Sequence, residues 1–212
     1  MAIIVRDVSD DEIQRSLDIE NAAYAGNPLG PILFPGPFPE ESKSKRAPEM
    51  IELRKNDPTC HFIQAYDEES KQMVAFAKWH VYDTPEAAQA AQRPSRTFGA
   101  GTNPEACEAF FGILSARKKE HMGNRLHLYL HMLHTDPAFQ GRGAGGMLVE
   151  WGTKKADELG LPAYLEASPK GHRVYERYGF RDVEVFDFNL ERFGGSGIYK
   201  EPLMLREPVS SN

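Results

Sequence analysis

The sequence predicts an α/β fold, a mixed sheet with helices laid on it, in a single domain over residues 1–212. Three observations predict it. Apolar stretches of period two alternate along the chain with stretches of helical period. The stretches CHFIQAY (60–66) and QMVAFAKWHVY (72–82) are joined by the polar turn DEESK, a hairpin signal. Near 126–159 the order is strand pattern, glycine-rich loop, helix pattern. The length of 212 residues suits one large domain with a sizeable core.

Composition excludes several classes. With 41% hydrophobic and 26% charged residues, disorder, collagen and coiled coil are poor fits. The formal charge of −6 lacks the footprint of a nucleic-acid binder. The two cysteines, Cys60 and Cys107, make neither a disulfide framework nor a cysteine zinc site. The start MAIIVRDVSDDE does not read as a signal peptide, and no apolar run reaches the ~18 residues of a membrane span. The expectation is a cytoplasmic protein with no membrane or nucleic-acid partner, as monomer or homodimer.

The elements follow in order. Ile3 to Val5 read as a strand. Ser9 caps a helix, with Glu12 three residues on as a capping box. Ile13, Leu17, Ile19 and Ala23 form its core face. Gly26 to Pro39 holds five prolines and three glycines and reads as a long loop. Its Leu33, Phe34 and Phe38 are apolar for a linker; they either pin the loop to the body or wall a substrate. Residues 42–55 look helical, and the hairpin follows. Residues 83–124 form a helical insertion, where Asn103 caps a helix that starts at Pro104. Arg117, Lys118, Lys119 and His121 gather near its end, where the helix dipole favours cations.

In LHLYLHMLH (126–134), Leu126, Leu128, Leu130 and Met132 alternate with His127, Tyr129 and His131. One face is therefore core and the other polar and aromatic. TDPAFQGRGAGG follows, and then a helix with Ala144, Met147, Leu148 and Trp151 at core spacing. Gly160 fits its C-terminal cap and Pro162 bars continuation. Glycines before a helix N-terminus suit a phosphate. The Walker pattern fails, because no Gly-Lys-Ser/Thr follows. Gly141, Gly143 and Gly146 spell the dinucleotide fingerprint, with Glu166 20 residues beyond. Thr135 to Gln140 intervene between strand and glycines, however, and only 66 residues remain after Gly146. A third pattern, Gln/Arg-x-x-Gly-x-Gly/Ala, is met by Gln140, Gly143 and Gly145. Downstream come the strand PAYLEAS (162–168), Ser168 as a cap with Pro169 in the first turn, GHRVYERYGF, and the strand RDVEVFDF.

The segment 126–188 resembles the GNAT superfamily of N-acetyltransferases. The resemblance implies the GNAT acyl-CoA N-acyltransferase fold, with a splayed, mostly antiparallel twisted sheet flanked by helices. It makes 126–188 a core that binds acetyl-CoA, the acetyl donor, without a metal. The amides of Gly141, Arg142, Gly143, Ala144 and Gly145, beside Gln140, would cradle the pyrophosphate. Backbone groups of Leu133, His134 and Thr135 would meet the pantetheine and the oxyanion. Gly171 would let the pantetheine arm pass, and Ser168 takes a position often held by Asn. Tyr175, four residues before the Gly-Phe pair, stands where the family places a general acid. A phenol of pKa ~10 can protonate a leaving thiolate. His131 lies nine residues before Gln140 and Tyr129 eleven, where the arylalkylamine N-acetyltransferases carry two histidines. His131 becomes the base, with Tyr129 assisting. Tyr24, Phe34 and Phe38 become walls for a small-molecule amine. Zinc on His127, His131 and His134 is not expected, because a regular strand would turn His134 away from the other two. Glu166 is assigned to the sheet or a solvated edge. Alternatives are a peptide or protein N-acetyltransferase, a non-catalytic acyl-CoA-binding regulator, and a nicotinamide-dependent oxidoreductase.

Overall fold

The structure is a computed structural model that describes residues 2–91 and 98–209. Part of the 83–124 segment and the last residues of the polar tail thus lie outside the described residues. The strands are β1 (Ile3–Asp7), β2 (Cys60–Asp67), β3 (Gln72–Tyr82), β4 (His127–Thr135), β5 (Ala163–Glu166), β6 (Arg181–Asn189) and β7 (Ile198–Arg206). They form one open sheet in the order β1-β2-β3-β4-β5-β7-β6. Every pairing is antiparallel except β4–β5. The main helices are α1 (Ile13–Tyr24), α2 (Gly30–Leu33), α3 (Glu40–Asn56), α4 (Pro85–Ala90), α5 (Pro104–Cys107), α6 (Ile113–Met122), α7 (Ala144–Leu159) and α8 (His172–Arg177).

The sheet is covered on both faces because its strands alternate between apolar clusters on either side. Ala77, Trp79 and Val81 of β3, with Leu128 and Leu130 of β4, pack beneath α7. Phe62, Met73 and Phe76 face Ile13 and Ile19 of α1 on the other side. Farther along that second face, Phe110, Leu114 and Met122 cover Tyr164, Phe188 and Leu203. The described helices between Pro104 and Met122 therefore roof part of the second sheet face. Asn103 caps α5 as its sequence predicts, accepting from the Ala106 N–H.

Several expectations shift. The Gly26–Pro39 loop contains the one-turn helix α2, which buries Ile32 and Leu33. The core face of α7 is Ala144, Leu148, Val149, Gly152 and Ala156, while Met147 and Trp151 lie at its flanks. The cause is Trp79. Its fully buried indole docks where Gly152 has no side chain, and its Nε1–H donates to the Leu148 carbonyl at 3.1 Å. α8 is capped at Gly171 rather than Ser168, because Ser168 closes the preceding turn, its Oγ accepting from the Gly171 N–H. Lys118 is not a surface cation at a helix end; it is 9% exposed beneath the roof.

Charged clamps fix the parts around the sheet. Arg206 of β7 donates to Asp157 of α7 at 2.8 and 2.7 Å, and its Nε–H reaches the Tyr178 carbonyl after α8. Arg15 of α1 pairs with Asp136 just past β4.

A Cβ on Gly152 would lie 2.2 Å from the Trp79 ring, whereas one on Gly26 would meet nothing within 4 Å. Gly152→Ala should therefore cost about 1–3 kcal/mol of overpacking. Thermal unfolding should show a Tm several degrees lower for Gly152→Ala and little change for Gly26→Ala.

Candidate active site

The parallel β4–β5 ladder joins Leu128 to Ala163, Tyr129 to Tyr164 and Leu130 to Leu165, and stops there. β4 continues to Thr135 without β5 beside it. Past this point the Leu133 carbonyl accepts from the Tyr24 hydroxyl at 3.4 Å, and the Thr135 carbonyl from the Gln140 side chain at 3.1 Å.

A register shift against β3 falls at the same place. Lys78 opposes Met132 while Trp79 opposes Leu130, so His131 is an extra residue, a β-bulge. The bulge breaks the alternation read from the sequence. Met132 does not share the α7 face with Leu128 and Leu130; it packs toward α1, and Leu133 takes its place. His134 consequently shares the second face with Tyr129 rather than opposing it. It stacks on Phe76 at 5.0 Å, deep under α1, so only its backbone is available to a ligand. His131 stacks against Tyr129 at 5.4 Å and stands 5.7 Å from His80. Among the described residues no three His, Cys, Asp or Glu side chains are grouped to hold a metal.

The glycine loop lies beyond the open end. Gly141 and Gly143 have φ of 77° and 86°, and a side chain at either would project into open space. Only glycine adopts these angles freely, and the loop's amide face stays bare at the start of the 16-residue α7. Arg142 lies over the Phe139 ring at 4.9 Å. Gly145 sits against the Thr135 hydroxyl. This cradle of amides, one guanidinium and a helix N-terminus fits a pyrophosphate.

Tyr175, Ser168 and Gly171 converge, as their spacing predicts. A Cβ on Gly171 would lie 3.1 Å from the Tyr175 ring and 3.3 Å from the Ser168 hydroxyl. Gly171 is thus bare to admit the tyrosine. Tyr175 lines a cavity of about 1410 Å³ on the second face, together with Tyr129, His131, Leu133 and Ser168. Tyr24, Phe34 and Phe38 also line it. The loop that carries Phe34 and Phe38 is both pinned and a wall. The Gly36 N–H donates to the Gly101 carbonyl at 2.9 Å, and the Asn103 N–H to the Leu33 carbonyl at 3.0 Å.

The cavity floor holds Glu166 and Glu201, the second missed by sequence reasoning. Glu166, expected to serve the sheet or a solvated edge, is half-buried and accepts from the Tyr129 hydroxyl of the neighbouring strand at 2.7 Å, where both line the cavity. Glu201, 8% exposed, lines the same cavity, and its Oε2 has no hydrogen-bond partner. The available signal was the alternation Tyr199, Glu201, Leu203 along β7, which sets a carboxylate on an apolar face. Burial, and then repulsion from Glu166, pushes Glu201 up to about 8. Burial, assisted by Tyr24 and Glu201, raises Tyr175, so it keeps its proton at neutral pH. Burial lowers His127 to about 4, with its Nδ1–H donating to the Arg125 carbonyl at 2.7 Å.

An interrupted parallel pair thus lies beside a bare glycine loop and faces a tyrosine-lined cavity. Residues 32–180 match the acetyltransferase (GNAT) family, and the chain belongs to it. An uncharacterized N-acetyltransferase of Schizosaccharomyces pombe is 33% identical over 81 residues, 38% of this chain and 34% of that protein. The chain thus matches about a third of the length of that curated relative. Among solved structures, the Drosophila melanogaster polyamine N-acetyltransferase, which forms N-acetylagmatine, aligns at 20% identity with a TM-score of 0.63 over 97% of this chain and 100% of that one. The C-terminal condensation domain of Ebony, in complex with β-alanyl-dopamine, aligns at 13% identity and 0.70 over 98% and 99%. These likenesses establish the fold. Among the described residues no helix is long and apolar enough to cross a membrane.

The raised Glu201 has a consequence for stability. Its folded value of about 8 exceeds the ordinary 4.5, so its contribution is fully present below about 4.5 and is lost as pH rises through about 8. Glu201→Gln should therefore gain stability relative to the parent between pH 5 and pH 8.5, read as a Tm difference that grows with pH. A difference constant over that range would mean that Glu201 is ionised throughout.

Proposed function

We propose that this chain transfers the acetyl group of acetyl-CoA to a primary amine of a small molecule, directly, in a ternary complex in the cytoplasm. The observation that supports the reading is that Tyr175 and Ser168 line one large cavity with Leu133, which lies past the end of the β4–β5 ladder. The buried Cys60 and Cys107, not joined in a disulfide, suit a reducing setting.

The donor supplies an activated acetyl thioester when bound. Gly141 to Gly145 and Arg142 would hold its pyrophosphate, and the edge of β4 from Leu133 to Thr135 would orient its arm. His131 accepts the proton of the acceptor ammonium, and Tyr129 fixes the imidazole by stacking on it. Amide N–H groups near Leu133 stabilise the developing oxyanion. Tyr175 delivers its hydroxyl proton to the leaving thiolate.

Incubation with acetyl-CoA and a panel of primary amines should release free thiol. No release with any amine, despite acetyl-CoA binding, would contradict the proposal and favour a regulator. Stabilisation by NAD and not by acetyl-CoA in a thermal shift would contradict it altogether. Tyr175→Phe should lower kcat on the order of 10²-fold while the thermal shift by acetyl-CoA is retained; an unchanged kcat would remove Tyr175 as the acid.

A further inference from the structure

The acetyl-transfer chemistry leaves one buried histidine of the second sheet face unused. His80 of β3 is 1% exposed and opposes Tyr129 in the β3–β4 ladder. His131, the extra residue of the bulge, has no register partner on β3, and its ring stands beside that of His80, with centroids 5.7 Å apart. His131 lines the cavity, and His80 lies behind it. Behind His80 in turn is Asp57, at the C-terminal cap of α3. Its carboxylate is 3.5 Å from the His80 Nδ1, and its side chain is 31% exposed.

The contacts fix the tautomer of His80. The single hydrogen of the Thr59 hydroxyl goes to the Asp57 Oδ1 at 2.6 Å. The Thr59 oxygen therefore accepts at 3.1 Å from an Nδ1–H of His80, which puts the ring's lone pair on Nε2. The turn that carries the carboxylate is itself held. The Thr59 N–H donates to the Asp57 Oδ1 at 3.0 Å, and the Val81 N–H donates to the Thr59 carbonyl at 2.9 Å.

We infer that His80, held by Asp57, is a second proton acceptor behind His131, so that the two imidazoles together take both protons that the acceptor nitrogen must lose. The inference rests on His131 as the base proposed above. An ammonium that ends as an amide gives up two protons, one before attack and one from the tetrahedral adduct. One of them makes good the proton that Tyr175 gives to the thiolate, and the other is released. An N–H bond of the ammonium breaks and its proton goes to His131. His131 passes it to the Nε2 of His80, and the imidazolium so formed is paired with the Asp57 carboxylate. His131 is then neutral again for the second proton. After the product leaves, the proton on His80 returns by the same path and goes to solvent. His80 and Asp57 act only through His131, so both are positioning residues.

The charges around the pair set its proton affinity. Asp57 favours a cation there, and so does Glu166, which accepts from the Tyr129 hydroxyl on the far side. Lys78, two residues before His80 on the same face of β3, opposes it. Lys118 of α6, 4.0 Å from the Tyr129 ring and 5.4 Å from the Tyr82 ring, opposes it as well. The other titratable groups on this side are His127 beside Tyr82, Cys60 opposite His80 on β2, and the phenols of Tyr82 and Tyr129.

Asp57→Asn tests the inference, because it keeps the shape and the Thr59 contacts and removes the charge. Nitrogen-15 histidine NMR on the CoA-loaded protein reads the His131 and His80 titrations. Thiol release from acetyl-CoA, with the fastest amine of the panel, gives kcat and KM across pH. The variant should move the His131 titration to lower pH and carry the acid limb of the kcat profile with it. It should lower kcat on the order of 10-fold at an unchanged KM for the amine. Asp57→Glu should restore most of that loss. Thr59→Val, which takes away the hydroxyl between Asp57 and His80, moves the same readouts in the same direction and serves if Asp57→Asn does not fold. A thermal shift by acetyl-CoA checks folding. A His131 titration identical in parent and variants overturns the inference. A loss of kcat with the pH profile in place overturns it too, since a merely structural Asp57 would give that result. No thiol release by the parent with any amine sinks the acetyl-transfer reading and the role in turnover with it. The NMR titration still shows whether Asp57 and His80 tune His131, so the two failures are told apart.

Discussion

A backbone amide or carbonyl at a strand edge needs a partner, and where the neighbouring strand leaves, something else must supply it. β4 meets this condition from His131 to Thr135, because its ladder with β5 ends at Leu130 and Leu165. The carbonyls of Leu133 and Thr135 are met by side chains, Tyr24 and Gln140. A ligand arm can lie along such an edge as an extra strand would. The β-bulge at His131 coincides with the break and turns consecutive side chains toward the second sheet face. The glycine loop, the N-terminus of α7 and the Tyr175 turn are placed around this one interruption.

The cavity is built by parts that lie far apart in sequence. The helices between Pro104 and Met122 roof the second sheet face, and the proline-rich loop is tied to them through Leu33 and Gly36. Arg206 holds α7 and the end of α8 together, which fixes the turn that presents Tyr175. The cavity is lined by aromatic rings and by side chains of both charges, Glu166, Glu201 and Lys118 among them.

Much of this was legible. The hairpin, the glycine loop, the Asn103 cap and the Ser168-Gly171-Tyr175 cluster follow from local spacing, and the structure has them all. The failures share a cause. Period two predicts which face a residue takes only while the register is regular, and the bulge at His131 moved Met132 and His134 to faces the pattern did not assign. The face of α7 turned because Trp79, about 70 residues away in sequence, needed the space over Gly152. Glu201 escapes sequence reasoning because a carboxylate in a strand looks solvated until the partner strand and roof are known.

The central claim is that the open edge of β4 receives the acyl donor and aims it at Tyr175. A crystal structure with CoA tests it most directly. The account predicts the pyrophosphate on the amides of Gly141 to Gly145, the pantetheine along Leu133 to Thr135, and the thiol facing the Tyr175 hydroxyl. CoA bound at the glycine loop with its arm directed away from that edge, or bound elsewhere on the molecule, would contradict it.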